Sequence, residues 1–177
     1  ASIGPKNVEL TAEVASCWQP IHFVPDRFRQ VWGDALDAGQ AMRDESLPPL
    51  EIMAGGRVAL GNGPTVDAAR HEARAHIAFY VGGMGAKSKN FYNDLFKRYG
   101  WEEEAETIQD LFLSGKRDEA TAAVPDEYLD LSMLVGDEGR VRERLEVYRE
   151  VGVTHLDIQP AGDDPLGTIE KIKAWAE

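Results

Sequence analysis

The chain opens with the stretch ASIGPKN at residues 1–7. This stretch predicts the end of a strand, a tight turn at Gly4 and the start of a helix, because proline is favoured in the first turn of a helix. The residues before Gly4 are too few to form a strand that stands alone. We therefore expect the chain to begin in the middle of an α/β architecture and to be a piece of something larger.

The order of strand and helix continues after this turn. Apolar runs predict three strands, at residues 17–23, 50–61 and 153–159. Apolar residues at helical spacing predict helices at residues 5–16, 25–42, 66–81 and 166–176, and a further helix that ends at Gly152. Strands that alternate with helices indicate parallel pairing through right-handed crossovers. Three strands are too few to close a barrel.

Three features interrupt this regular order. Pro20 removes a backbone donor from the first predicted strand, so we expect a bulge or an irregular end there. The pair Gly55-Gly56 inside the second strand indicates a bulge or the close approach of another group. Residues 82–133 carry no strand pattern and only short helical segments, so they predict a helical insertion longer than one crossover requires.

Composition indicates a single domain, residues 1–177, with enough apolar side chains for a core. The net charge of −12, from 19 basic and 31 acidic side chains, disfavours nucleic acid as a partner. No apolar run is long enough to cross a membrane, and we expect no membrane partner. Cys17 is the only cysteine, which excludes an intrachain disulfide and agrees with a cytoplasmic protein.

Several stretches are specific enough to be compared with known families. They are IGPKNVEL at residues 3–10, WQPI at 18–21, YVGGMG at 80–85, NFYNDL at 90–95, VGD at 135–137, RERL at 142–145 and GVT at 152–154. Together they resemble the C-terminal half of the luciferase-like flavin and deazaflavin oxidoreductases of actinobacteria, and most closely the branch that uses coenzyme F420. One departure is the pair Ser16-Cys17, where the family usually has Asp-Gly.

The resemblance implies a partial TIM (β/α)8 barrel, made of about the last three βα units, with the helical insertion at about residues 82–133. It implies hydride transfer between the deazaflavin of F420 and a small organic substrate. We expect the isolated chain to be inactive, and to form a homo-oligomer or to associate with the missing N-terminal half. Two alternatives remain: an FMN-dependent monooxygenase of the same fold, and a non-catalytic fragment that associates through its open barrel edges.

The opening turn is the main candidate for cofactor binding. Backbone N–H groups converge at a helix N-terminus, where the helix dipole favours an anion. The resemblance implies that this turn approaches the cofactor phosphate. The predicted cofactor-binding residues are Ser2, Ile3, Gly4, Lys6 and Asn7. The alternative is an ordinary turn with a solvated lysine.

Ile21 and His22 are the predicted substrate pocket, because they lie near the carboxyl end of a strand, where barrels carry function. His22 could give or take a proton, although a packed histidine is the commoner case. Arg57 could bind a phosphate or carboxylate, or be an exposed side chain beside a bulge. No catalytic residue is identified.

Two other groups of polar residues give weaker indications. His76 has helical spacing with Glu72, but two ligands do not make a metal site, and we predict no metal. Four basic residues of the insertion could meet a polyanionic cofactor, although a solvated face is the usual explanation; they are Lys87, Lys89, Lys97 and Arg98.

Overall fold

The secondary structure follows from a computed structural model that describes residues 2–176. Within this range the strands are β1 (Cys17–Trp18), β2 (Glu51–Leu60), β3 (Leu134–Gly136) and β4 (His155–Pro160). The helices are α1 (Pro5–Val14), α2 (Phe28–Met42), α3 (Pro64–Gly83), α4 (Phe91–Arg98), α5 (Glu102–Leu113), α6 (Arg117–Ala122), α7 (Asp126–Ser132), α8 (Glu138–Glu150) and α9 (Pro165–Ala176).

Strand β2 pairs in parallel with each of the other three strands. The first two residues of β2 pair with β1, residues 53–58 of β2 pair with β4, and the last three residues of β2 pair with β3. No pairing among residues 2–176 links β4 back to β1, so the sheet is open. The chain is therefore α/β with a parallel sheet that is not closed into a barrel, as the sequence predicted.

The glycine pair in β2 marks a close approach of β4. A Cβ atom added at Gly55 would lie 2.2 Å from the backbone carbonyl oxygen of Asp157. A real side chain cannot occupy that space, so β4 can reach this position only opposite a glycine. The close approach expected from the sequence is confirmed.

The helices of residues 82–133 are tied to α3 by buried asparagines. The Asn90 side chain accepts hydrogen bonds from the N–H groups at the start of α4 and donates to the carbonyls of Tyr80 and Val81. Asn93 donates to Val81 and to Ala105 of α5. These bonds satisfy carbonyls near the end of α3 and hold that helix over the sheet.

Helix α7 is held against α3 by ion pairs. Arg70 binds Asp126 and Asp130 at 2.8 and 2.7 Å, and Arg74 also binds Asp126. The acidic side chains are exposed, so the ion pairs fix the position of α7 more than they add to the free energy of folding. They bring α7 beside the part of α3 that faces the sheet.

Two predictions about the strands were wrong. The strand expected over residues 17–23 ends at Trp18, because Pro20 cannot donate to a neighbouring strand and His22 adopts a positive φ of 56°. The three strands expected from sequence are four in the described range. The missed strand, β3, has only three residues and shows no alternation that a pattern could detect.

None of the described helices combines the length and the apolar character needed to cross a bilayer.

Replacing Gly55 with alanine tests the close approach of β2 and β4. We expect Gly55→Ala to lower the free energy of unfolding by about 3 kcal/mol, because backbone atoms must move to admit the methyl group. Urea unfolding measures the change. Gly4→Ala is the matched control, since a Cβ at Gly4 meets no atom within 4 Å. Equal stability of the two variants would contradict the close packing.

Candidate functional site

A cavity of about 210 Å³ lies between the sheet and the helices α3 and α7. The loop after β1, the middle of β2, the two helices and β4 all contribute to its wall. Its polar lining residues are His22, Arg57, His76, Tyr128, Ser132, Asp157 and Gln159. Apolar side chains fill the rest of the wall, among them Ile21, Met53, Ile77 and Leu129. A small cavity with a few convergent polar groups is the usual form of a ligand site.

The loop that carries His22 is held by one buried hydroxyl group. Tyr99 donates a hydrogen bond from its hydroxyl to the carbonyl of His22 at 3.0 Å. The hydroxyl oxygen of Tyr99 also accepts a hydrogen bond from the backbone N–H of Val24 at 3.2 Å. Tyr99 is fully buried, so these two bonds hold the chain on both sides of Phe23. They stabilise the positive φ of His22. Residues other than glycine rarely adopt this conformation, and those that do are frequently found at functional sites.

Aromatic rings surround the imidazole of His22. The rings of Tyr80 and Tyr92 lie edge-on to it, with centroids 5.0 and 5.8 Å away. The hydroxyl of Tyr128 lies 3.5 Å from Nδ1, and Nε2 is buried without a hydrogen-bond partner among residues 2–176. Burial lowers the pKa of His22 to about 3, and the nearby His76 contributes to the shift. The imidazole is therefore neutral at pH 7.

Arg57 brings a positive charge to the same cavity. Its Nη1 donates to the Glu72 carboxylate at 2.5 Å. The Arg57 side chain is 27% exposed, whereas that of Glu72 is 60% exposed. Burial, and then the charge of Arg57, lower the pKa of His76. The cavity thus combines one cation with two histidines that favour the neutral form.

β4 adds a carboxylate and an amide to the cavity wall. The Gln19 side-chain amide donates to Asp157 at 2.8 Å and joins the loop after β1 to β4. Asp157 and Gln159 alternate with half-buried apolar residues along the strand. The cavity therefore lies on the polar face of β4.

The predicted cofactor turn lies outside this cavity, at the start of α1. None of its five residues, Ser2, Ile3, Gly4, Lys6 and Asn7, is among the residues that line the cavity. The structure brings Ile21 and His22 together with the cavity and places the turn apart from it. The assignment of the turn to a cofactor stays a prediction.

Two tryptophans orient the opening turn. The indole N–H of Trp18 donates to the carbonyl of Ser2 at 3.0 Å, and that of Trp32 donates to the carbonyl of Ile3 at 2.9 Å. In a trans peptide the N–H points opposite to the carbonyl. The N–H groups of Ile3 and Gly4 therefore point away from the two indoles. Backbone N–H groups directed out of a helix start can bind an anion.

The structure gives several polar residues a different place from the one that the sequence predicted. The sequence relates His76 only to Glu72, whereas the structure places it in the cavity wall. Among the described residues no group of three or more potential metal ligands occurs. Tyr128 was missed, because 106 residues separate it from His22 and no local pattern links them. Three of the basic residues considered for a polyanionic cofactor are engaged within the protein: Lys87 and Lys97 pair with acidic side chains, and Arg98 binds a backbone carbonyl.

Comparisons with known proteins agree on one group. The family model for luciferase-like monooxygenases matches residues 1–155. A Mycobacterium tuberculosis protein, provisionally named a coenzyme F420-dependent oxidoreductase, is 37% identical over 175 residues, which cover 98% of this chain and 48% of that protein. The 5,10-methylenetetrahydromethanopterin reductase of Archaeoglobus fulgidus is 27% identical over 96% of this chain and 50% of its own length.

A solved structure supports the fold. The coenzyme F420 dependent tetrahydromethanopterin reductase from Methanopyrus kandleri superposes with a TM-score of 0.66 at 19% identity. The alignment covers 99% of this chain and 48% of that one. The chain spans about half the length of the curated relatives it matches. It corresponds to about half of a TIM-barrel reductase.

The state of His22 predicts how stability depends on pH. Between about pH 6.5 and 3 the unfolded chain protonates this histidine and the folded chain does not. The free energy of unfolding should therefore fall as the pH falls through this window, by about 1.4 kcal/mol per pH unit from this group. His22→Asn removes the contribution, and asparagine tolerates a positive φ. Urea unfolding at pH 7, 6, 5 and 4 should give a shallower pH slope for the variant. Equal slopes would show that His22 is not a buried neutral group.

Proposed function

Because the chain belongs to the luciferase-like monooxygenase family, we propose that it forms the C-terminal half of a coenzyme F420-dependent oxidoreductase. The proposed reaction is hydride transfer between the deazaflavin and a small organic substrate. The observation that supports it most is the cavity on the polar face of the sheet, which His22 and Ile21 line. When bound, F420 would supply the carbon that exchanges the hydride.

The opening turn is the proposed binding site for the phosphate of such a cofactor. Trp18 and Trp32 direct the N–H groups of Ile3 and Gly4 outward, and a Cβ added at Gly4 would meet no atom within 4 Å beyond its chain neighbours. Lys6 is exposed one residue after the proline and adds a positive charge. We propose that these groups, with Ser2 and Asn7, hold the phosphate.

In the cavity, His22 is proposed to hold the substrate. Its pKa of about 3 makes it a weak base, and general bases work best with a pKa near the operating pH. A neutral imidazole can still donate or accept one hydrogen bond in a water-poor pocket. Its proposed role is therefore to orient a polar group of the substrate beside the apolar side chain of Ile21.

A second candidate is an FMN-dependent monooxygenase, which the name of the matching family favours. Such an enzyme would use the same face of the sheet and consume molecular oxygen. Oxygen uptake distinguishes the two, because a deazaflavin hydride carrier does not require oxygen.

F420 binding tests the proposed site. We expect weak or no binding to the 177-residue chain and measurable binding once the chain is joined to the N-terminal half of its Mycobacterium tuberculosis relative. In the joined protein, Gly4→Leu and Lys6→Glu should each weaken binding by about tenfold or more, equivalent to about 1.4 kcal/mol. Quenching of F420 fluorescence measures the affinity.

The controls separate binding from folding. A Cβ at position 4 meets no atom within 4 Å beyond its chain neighbours, and an unchanged urea unfolding curve for Gly4→Leu would show that a loss of affinity reports on the ligand. Lys116→Glu reverses an exposed charge at the start of α6 and should leave the affinity unchanged. Equal tight binding by the short and the joined protein, or no effect of either turn variant, would overturn the assignment.

Association through the open ends of the half-barrel is the proposed partner interaction. Leu10 and Val14 are exposed on α1, and Leu166 and Ile169 are exposed on α9. Such side chains on the first and last described helices leave apolar surface that a further chain segment or a second copy could cover.

Light scattering tests this association. The 177-residue chain should have a mass above that of a monomer, and Leu166→Glu should shift it toward the monomer, because a charge on an apolar interface costs free energy. Phe91→Glu is the matched control, since Phe91 is also a large, exposed apolar side chain but lies in the insertion. A stable monomer for the unmodified chain would contradict the proposal.

A further inference from the structure

We propose that the cavity between the sheet and α3 is a subsite for a small carboxylate, with Arg57 as the group that binds it. The inference rests on the proposed function in one respect, because it treats this cavity as the substrate pocket. It adds the chemical class of the substrate, an apolar body that carries one carboxylate.

The guanidinium of Arg57 has N–H donors that are available to a ligand. Among the described residues it donates to protein through Nη1 alone, to Glu72. Its side chain forms part of the cavity wall and is 27% exposed, so the rest of the planar fork can reach a ligand. Arginine binds carboxylates through two parallel N–H bonds, a geometry that lysine cannot offer.

The pairing with Glu72 does not block this role. Glu72 is 60% exposed, and exposed ion pairs contribute little to stability. A ligand carboxylate can therefore share the guanidinium with Glu72 or replace it. Glu72 is then a competitor for Arg57, which predicts that its removal strengthens the binding of an anion.

The other polar groups agree with one anionic group at Arg57. His22 and His76 favour the neutral form, so they can form hydrogen bonds without adding charge. Asp157 carries a negative charge and accepts a hydrogen bond from Gln19. It would repel a second anion, so the carboxylate belongs at Arg57 and the apolar body against the remaining wall.

The size of the cavity limits the ligand. Its volume of about 210 Å³ is below the 300–1,000 Å³ of typical drug-sized sites. A single ring with a carboxylate fits this volume. Ile21, Met53 and Leu129 provide the apolar contacts for that ring.

Calorimetric titration with benzoate and benzamide tests the proposal. The two molecules have nearly the same shape and differ in charge. We expect benzoate to bind the 177-residue chain at least tenfold more tightly than benzamide. Arg57→Gln should abolish this preference, Arg57→Lys should keep only part of it, and Glu72→Gln should raise benzoate affinity several-fold.

Matched variants control for net charge. Arg29→Gln removes an arginine on α2 that pairs with an exposed carboxylate and does not line the cavity, and Glu146→Gln removes an exposed carboxylate from α8. Neither should change benzoate binding. Because Glu72→Gln is expected to gain affinity, the proposal stays testable even if Arg57→Gln fails to fold.

Three results would overturn the carboxylate subsite: equal binding of benzoate and benzamide, equal effects of Arg57→Gln and Arg29→Gln, or inorganic phosphate that competes with benzoate at equal affinity. The last result would point to a cofactor phosphate. The titrations contain no F420, so their failure leaves the proposed oxidoreductase standing. Conversely, a failure of F420 binding in the joined protein leaves the benzoate result intact.

Discussion

The close contact between β2 and β4 determines where the site can form. β2 pairs with the three other described strands, and its middle residues also line the cavity. Only a glycine at position 55 lets the Asp157 carbonyl come as near as it does. A larger residue would move β4 outward and take Asp157 and Gln159 away from the cavity wall. One missing side chain thus sets both the sheet geometry and the polar face of the site.

The sequence predicted the parts of the fold that depend on neighbours in the chain. Local patterns predict the alternation of strand and helix, the interruption of the first strand at Pro20 and the close approach of another group at Gly55. The position of Ile21 and His22 followed as well, because parallel strands place their carboxyl ends at one edge. The length of β1 was overestimated, since an apolar run does not show where pairing ends.

The features that could not be predicted depend on distant residues. His22 owes its backbone conformation to Tyr99, which is 77 positions away in the sequence, and its ring environment includes Tyr128. A histidine in an apolar run gives no sign of such partners. The low pKa of His22 is likewise a property of burial, which only the packed structure reveals. The charge of Arg57 indicated a possible role in anion binding, but its position in the cavity wall depends on the packing of the whole chain.

Two features of the surface bear on how a larger barrel of the proposed kind would form. Exposed apolar side chains lie on α1 and α9, where Val14 is 58% and Leu166 is 73% exposed. The open face of β4 carries polar side chains, and its apolar residues pack against the core. In the proposed half-barrel, a segment that completes the fold would cover the helices at the two ends and leave the polar face free to bind a ligand. The hydrophobic effect favours the first, and the cost of burying unpaired polar groups enforces the second.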